Sequence, residues 1–252
     1  MIAREELLNY LDEYLGCKNF NDYAPNGMQV EGKDTISQIC TAVSASEDSI
    51  KKAVAMQADA LLVHHGFFWK GEAPVITGLK RRRLGQLLTH NINLFAYHLP
   101  LDCHPDLGNN ACLAELLEIK DVKMHTVAKT PNLLWSGTLN KPTPAATLAD
   151  FLHDKLKREP QWISPNDKPI QRIAWCTGAA QDFIEDAQRL QVDAYLSGEI
   201  AERTYYQAQE FGIHYFACGH HASERFGIQA LGQHLAARFD LRHSFIDSEN
   251  PV

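Results

Sequence analysis

The sequence repeats itself at a distance of 134 residues, and this repeat limits the possible fold more than any other feature. Shifted by that amount, Ile39–Gly66 lies on Ile173–Ile200 without a gap. Ile39, Asp48, Ile50, Ala53, Gln57, Asp59, Ala60 and Leu62 then meet identical residues, Ile173 through Leu196. Both blocks read in the same order. Ile39–Val43 (ICTAV) has the apolar, β-branched character of a buried strand. Ser46–Met56 has helical spacing, with Ser46 as N-cap and acids in the first turn. Asp59–Val63 is the next strand. In the later block Ile173–Thr177 (IAWCT) is a strand, Gln181–Leu190 a helix and Asp193–Ser197 (DAYLS) a strand. A further strand follows each block: Asn93–Tyr97 (NLFAY), after a basic helix around Lys80–Thr89, and His214–Cys218 (HYFAC). The alternation predicts an α/β fold that is internally duplicated, two interlocked α/β units of similar topology. The polar stretch around Val127–Asn132 is the expected break. It gives a first unit over 1–126 and a second over 127–252, with the C-terminal segment able to pack back on the first.

Charge and composition exclude several function classes. A net charge of −7 and a pI of about 5.9 disfavour general nucleic-acid or anionic-membrane binding. No apolar run approaches the roughly 20 residues needed to span a bilayer. The N-terminal stretch MIAREELLNYLDEYL reads as an amphipathic helix and lacks a signal peptide's basic start and apolar middle. The six cysteines show no CxxC spacing, which suits reduced thiols of a cytoplasmic protein. Lys80–Arg83 (KRRR) reads as a solvated helix face, and neither a phosphate-binding glycine motif nor a GxSxG elbow is present.

The informative residues sit at strand ends. His64 and His65 follow LLV, His98 follows LFAY, and His220 and His221 follow YFAC after one glycine. In open α/β sheets ligands gather beyond the carboxyl ends of strands. Carboxylates accompany the histidines. Asp102 closes the HLPLD stretch, where Pro100 argues against a continuing helix. Glu224 lies four residues after His220 and three after His221, so either histidine can share its helix face. Neutral imidazoles with Asp and Glu make a mixed metal-ligand set, more than one tetrahedral ion needs. Each element also has a plain structural reading: a hydrogen-bonded turn, an Asx turn at Asp102, a surface i,i+4 pair. His90, His125, His153, His234 and His243 are read as ordinary surface or loop residues. Adjacent strand residues point to opposite faces, so a shared role for His64 and His65 requires the backbone to turn there.

Five stretches together resemble one family: DYAPNGMQVEG (Asp22–Gly32), ADALLVHHGFFWKGE (Ala58–Glu72), INLFAYHLPLDCHPDLGNN (Ile92–Asn110), VDAYLSGEI (Val192–Ile200) and GHHASER (Gly219–Arg225). The chain resembles the GTP cyclohydrolase I type 2 family, also called the Ngg-interacting-factor-like family, and its bacterial YbgI-like members in particular. The resemblance implies a ring-shaped homohexamer (a toroid) with a dinuclear metal centre. Carried over by position, the ligands are His64, His65, Asp102, His220 and Glu224, holding two divalent ions per chain from among zinc, iron, manganese and nickel. It favours His220 over His221 as ligand. The family name implies a hydrolase in which metal-activated water opens the imidazole ring of the purine of GTP. Proton transfer needs a further acid or base, for which His98 or His221 is the candidate, with completing the metal shell or hydrogen-bonding a ligand as the other reading of His98. The alternative function is a non-enzymatic metal-binding scaffold or regulatory interaction protein.

Overall fold

The computed structural model describes residues 1–252 and divides into two compact units, Met1–Leu101 with Gly227–Glu249, and Asp102–Phe226 with Asn250–Val252. The elements of the first are β1 (Ile2–Ala3), α1 (Arg4–Tyr14), β2 (Gly27–Val30), β3 (Thr35–Ile36), β4 (Gln38–Ser44), α2 (Glu47–Ala55), β5 (Ala60–His65), α3 (Gly78–Thr89) and β6 (Asn93–Ala96). Helix α4 (Leu99–Asp102) carries the chain into the second unit. There follow α5 (Asn109–Leu116), β7 (Lys120–Val127), β8 (Thr130–Thr143), α6 (Ala145–Leu156), β9 (Gln161–Ile163), β10 (Ile170–Cys176), α7 (Ile184–Arg189), β11 (Ala194–Ser197), α8 (Glu202–Phe211), β12 (His214–Ala217) and α9 (His220–Phe239). The chain then returns to the first unit with β13 (Arg242–Phe245).

In the first unit the sheet order is β13-β4-β5-β6-β2, with the first four strands parallel and β2 antiparallel at the edge. Its central strands are nearly continuous apolar runs, as burial on both faces demands. Leu61, Val63, Leu94 and Ala96 pack with Ile50, Ala53, Leu84 and Leu87 from α2 and α3. Helix α2 starts where the sequence places it. Ser46 Oγ accepts from Ser49 N–H at 3.0 Å and Ser49 Oγ accepts from Ser46 N–H at 2.9 Å, a reciprocal cap.

The second unit has the sheet order β7-β8-β10-β11-β12-β9, parallel only over β10-β11-β12. Its core joins Ile173, Trp175, Leu196 and Phe216 to Leu148, Leu152 and Leu156 of α6. The expected break near Val127 is here a hairpin turn. Val127 pairs with Thr130 across Ala128 and Lys129, whose φ angles are 49° and 63°. Two consecutive left-handed residues suit the twist of a two-residue hairpin, so the polar stretch turns a sheet instead of linking domains. The helix expected over Gln181–Leu190 opens as a 3-10 turn, Gln181–Phe183, before α7.

The parallel trios of the two units share their register. Ile39 pairs with Ala60 as Ile173 pairs with Ala194, and each partner position is 134 residues on. The clamp at their amino ends also recurs. Asp59 accepts from the N–H groups of Ser37 and Gln38, both at 2.9 Å, and Asp193 accepts from Gln171 and Arg172 at 3.0 and 2.8 Å. Asp59 also takes Lys33 Nζ at 2.6 Å. Burial works to raise the Asp59 carboxyl, but Lys33 and the Ser37 and Gln38 donors outweigh it and hold the pKa down to about 2. A folded-state pKa below the unfolded value means stability that is present above the ordinary carboxylate range and lost as pH falls through about 2. Asp59→Asn is expected to cost about 1–3 kcal/mol at pH 7, with the deficit against wild type roughly halved by pH 3. Urea unfolding across that pH range measures it; a deficit independent of pH would refute the electrostatic account.

Candidate metal centre

The strand ends of the first unit gather three imidazoles. β5 runs through both histidines of the HHG stretch and ends there, with Ser44 opposite His65. The chain must turn at once, because at Gly66 a Cβ would overlap Gln29 Oε1 and Ala96 Cβ. Freed from strict alternation, the rings of His64 and His65 come to 4.5 Å between centroids, and His98, just past β6, lies 5.0 Å from His64 and 5.9 Å from His65. One ring nitrogen of each falls within 4.8 Å of the others, a spacing that suits an ion. His64 is fully buried, His65 half-buried and His98 buried.

Each ring is held from behind through Nδ1. His64 Nδ1 donates to the Tyr97 carbonyl at 2.9 Å, and His98 Nδ1 donates to Asp22 Oδ1 at 2.9 Å. His65 Nδ1 is 3.0 Å from the Ser44 hydroxyl. A carbonyl or carboxylate can only accept, so in the neutral rings of His64 and His98 the lone pair sits on Nε2. That is the arrangement of metal-ligating histidines, whose other nitrogen is fixed by an oxygen partner. Asp22 is itself built in, taking Asn26 Nδ2 at 3.0 Å and Leu99 N–H at 2.9 Å. Burial works to raise its carboxyl, but the hydrogen bond and charge of His98 hold it down at about 2.

The second unit holds the carboxylates. Pro100 does not prevent a helix, since it occupies the first turn of α4, where its missing N–H is not needed. Asp102, at the end of that turn, is buried and accepts from Asn109 Nδ2 at 2.8 Å and Thr177 Oγ1 at 3.4 Å. α9 begins at His220, and His220 Nε2 stands 3.2 Å from the buried Glu224 Oε2. Of the two histidines of GHHASER, His220 is the one with this contact to Glu224; His221 is buried and gives its backbone N–H to the Val252 carbonyl at 3.0 Å. His220 Nδ1 donates to Glu199 Oε1 at 2.7 Å, so its Nε2 is likewise the nitrogen for a ligand once the ring is neutral. Burial pulls the His220 pKa down, but Glu224 and Glu199 together carry it up to about 9, and the protonated ring balances Glu224. The buried Cys176 thiol is pushed well up, first by burial and then by the charges of Asp102, Cys103 and Glu224.

Asp22, Ser44 and Glu199 are the positioning residues that the ligand set does not name. Asp22 and Glu199 lie within the stretches DYAPNGMQVEG and VDAYLSGEI, and Glu199 also stands 134 residues after His65; Ser44 carries no such signal. Three of the five histidines read as ordinary have hydrogen-bond partners, His125 on Ser136, His234 on Tyr10 and His243 on Thr41. The KRRR stretch is only half solvated. Arg81 and Arg82 are exposed, whereas Lys80 lies over the Phe68 ring at 4.7 Å and Arg83 over Phe67 at 5.8 Å.

Comparison with known proteins shows the family and agrees with the fold. The model of the family Duf34/NIF3 (NGG1p interacting factor 3) matches residues 2–251. The chain belongs to the Duf34/NIF3 family. Curated relatives of this Duf34/NIF3 chain include a GTP cyclohydrolase 1 type 2 homolog of Salmonella typhimurium, 49% identical over 98% of both chains. Another, of the same description, comes from Allochromatium vinosum and is 47% identical over 98% of this chain and 96% of its own. The solved structure of protein ybgI superimposes with a TM-score of 0.96 at 47% identity over the full length of both chains.

The donor chemistry of this Duf34/NIF3 protein fits divalent metal: imidazole nitrogens with fixed tautomers and buried carboxylate oxygens. The backbone also makes room. Gly178, at φ 70°, passes so close that a Cβ would overlap Glu224 Oε1 and lie 3.3 Å from His220 Nε2. Gly178→Ala is therefore expected to cost about 1–3 kcal/mol through left-handed strain and overpacking. Urea unfolding at neutral pH measures it, and an unchanged midpoint would show that Glu224 yields without cost.

Proposed function

We propose that this protein is a dinuclear metal-dependent hydrolase of a nucleotide or related heterocycle, with GTP as the first candidate. His64, His65, Asp102, His220 and Glu224 hold two divalent ions per chain in this reading. The observation that carries it is the common mounting of the histidines: Tyr97 O takes the Nδ1–H of His64 and Glu199 that of His220, which leaves Nε2 for ligation in the neutral ring, while Asp22 takes the Nδ1–H of His98 and leaves its Nε2 for proton transfer. The names of the curated relatives supply the substrate class.

The ions, when bound, supply Lewis acidity and a water of lowered pKa. The protein's own groups do the rest. Tyr97 O fixes the ring of His64, and Asn109 and Thr177 hold Asp102 in one orientation. His98 is the proton carrier: it takes a proton at Nε2 while Asp22 keeps Nδ1–H and stabilises the cation that forms. His221 is the second choice for that role. From the family resemblance we also infer a ring-shaped homohexamer, with a mass in solution six times the 28.3 kDa of the chain. No helix is long and apolar enough to cross a membrane, and with six free thiols we place the protein in the reducing cytoplasm.

Elemental analysis of tag-free protein is expected to give about two divalent ions per chain, falling in Glu224→Ala. Glu199→Gln, which leaves all five ligands in place, is expected to weaken metal affinity about 10- to 100-fold. Protein that takes up no zinc, manganese or iron on loading would end the metal reading. Metal-replete protein is expected to hydrolyse GTP, and Asp102→Ala to lose that turnover while staying folded. A folded Asp102→Ala with undiminished turnover would refute the assignment. Tight metal without turnover of any nucleotide would favour the scaffold reading instead.

A further inference from the structure

Two aromatic side chains stand beside the three imidazoles of the first unit, and the metal-ligand set gives neither of them a task. Tyr23 comes from the loop after α1, and Trp69 from the loop after β5. Their ring centroids are 5.7 Å apart, inclined at 34°. Both meet His98 edge to face, Tyr23 at 4.9 Å and 72° and Trp69 at 5.2 Å and 86°. Trp69 also lies 6.0 Å from the ring of His65. The two loops are tied by backbone, Lys70 N–H to the Tyr23 carbonyl at 2.8 Å, so the ring pair is held as one piece. On the Tyr23 side, Asp22 fastens the loop through the N–H groups of Tyr23 and Ala24 at 2.7 and 3.2 Å.

This pair is not core. Tyr23 keeps 54% of its surface exposed and Trp69 is half-buried. The buried aromatics of this unit, Phe95 and Tyr97, are fully covered. A single exposed aromatic is ordinary, but adjoining exposed rings beside polar groups mark a place where a ligand can bind. Here the exposed rings adjoin the cluster of titratable, metal-ligating groups. Aromatic faces next to polar groups bind planar π-systems, and stacking accepts any flat heterocycle whatever its edge pattern.

We propose that Tyr23 and Trp69 form a stacking platform for a planar heteroaromatic ring, and that they select the substrate by its ring. The platform rests on the reading of His64, His65 and His98 as part of the reacting site. It narrows the substrate class to molecules whose reacting part is a flat nitrogen heterocycle, purine or pteridine, presented next to His98. Saturated rings and acyclic amides offer no flat heteroaromatic face. The phenol of Tyr23 lies 3.5 Å from His98 Nε2, so the pair adjoins the proton carrier.

The test uses the full-length, metal-loaded protein. Guanosine, adenosine and a pterin, all without phosphate, are titrated by equilibrium dialysis alongside inorganic triphosphate. At least one ring compound is expected to bind, and triphosphate is expected not to displace it. Tyr23→Ala and Trp69→Ala are each expected to weaken that binding about 10-fold or more. Tyr23→Phe and Trp69→Phe, which keep a ring, are expected to restore most of it. Metal content per chain is measured on every variant. Binding that disappears only where metal is lost would assign the effect to the metal site and overturn the platform. Alanine variants that bind as wild type, or a wild type that binds none of the three rings, would also overturn it. Ring binding that follows Tyr23 and Trp69 in a protein holding no metal would leave the platform standing and remove the hydrolase reading.

Discussion

The grip of a single carboxylate on the start of each parallel trio decides what emerges at its far end. Asp59 bonds two consecutive N–H groups at the start of β4, and Asp193 does the same at β10. A one-residue slip between neighbouring strands would turn every side chain to the other face. With the amino ends pinned, Val63 O accepts from Tyr97 N–H and Ser197 O accepts from Cys218 N–H, so β5 stops at His64 and His65 and β11 stops before Gly198 and Glu199. The chemistry at the carboxyl ends is thus a consequence of polar contacts at the opposite edge of the sheet.

Adjacent histidines can serve one site only where strand geometry gives out. Within β5 the side chains from Ala60 to Val63 alternate between two buried faces. At His65 the last ladder contact is made, Ala45 N–H to the His65 carbonyl at 2.8 Å, and Gly66 bends away over Gln29 and Ala96. The hydrogen bonds to Nδ1 then do what the backbone no longer does: they fix the direction of each ring. A ligand set made this way needs a second set of residues behind it, and these come from separate stretches of chain, Asp22, Ser44, Tyr97 and Glu199.

Local signals were legible in the sequence wherever one residue type has one physical job. The Ser46 cap, the apolar strands and the register of the repeat are of that kind. Context defeated three other readings. The polar Val127–Asn132 stretch has linker composition, yet Ala128 and Lys129 adopt left-handed φ and close a hairpin, because the flanking strands pair. Pro100 breaks helices from the interior but begins α4 without conflict. KRRR is uniformly charged, yet Lys80 and Arg83 share one helix face and turn toward Phe68 and Phe67. The candidate ligands stood out because histidine and carboxylate are scarce at buried strand ends. Their supports did not, because a serine, a carbonyl or one more aspartate carries no mark of its role.

Differences between the repeats are as informative as their matches. His65 and Glu199 occupy equivalent positions and do different work: the pairing of β4 with β5 runs on to Ser44 and His65, whereas that of β10 with β11 ends at Cys176 and Ser197, before Glu199. His65 faces outward from the strand end as a candidate ligand, held by Ser44. Glu199 reaches back to hold His220 at Nδ1. Next to them, His64 is a buried ring on Tyr97 O, while Gly198 leaves space that the start of α9 fills; a Cβ there would lie 2.8 Å from His220 Cα. One unit puts its imidazoles on strands, and the other puts its imidazole and carboxylate on the first turn of a helix. Where the two blocks keep the same strand register and differ at the strands' carboxyl ends, the frame is shared and the chemistry differs. A position that breaks the repeat at a strand end is therefore a better pointer to function than one that obeys it.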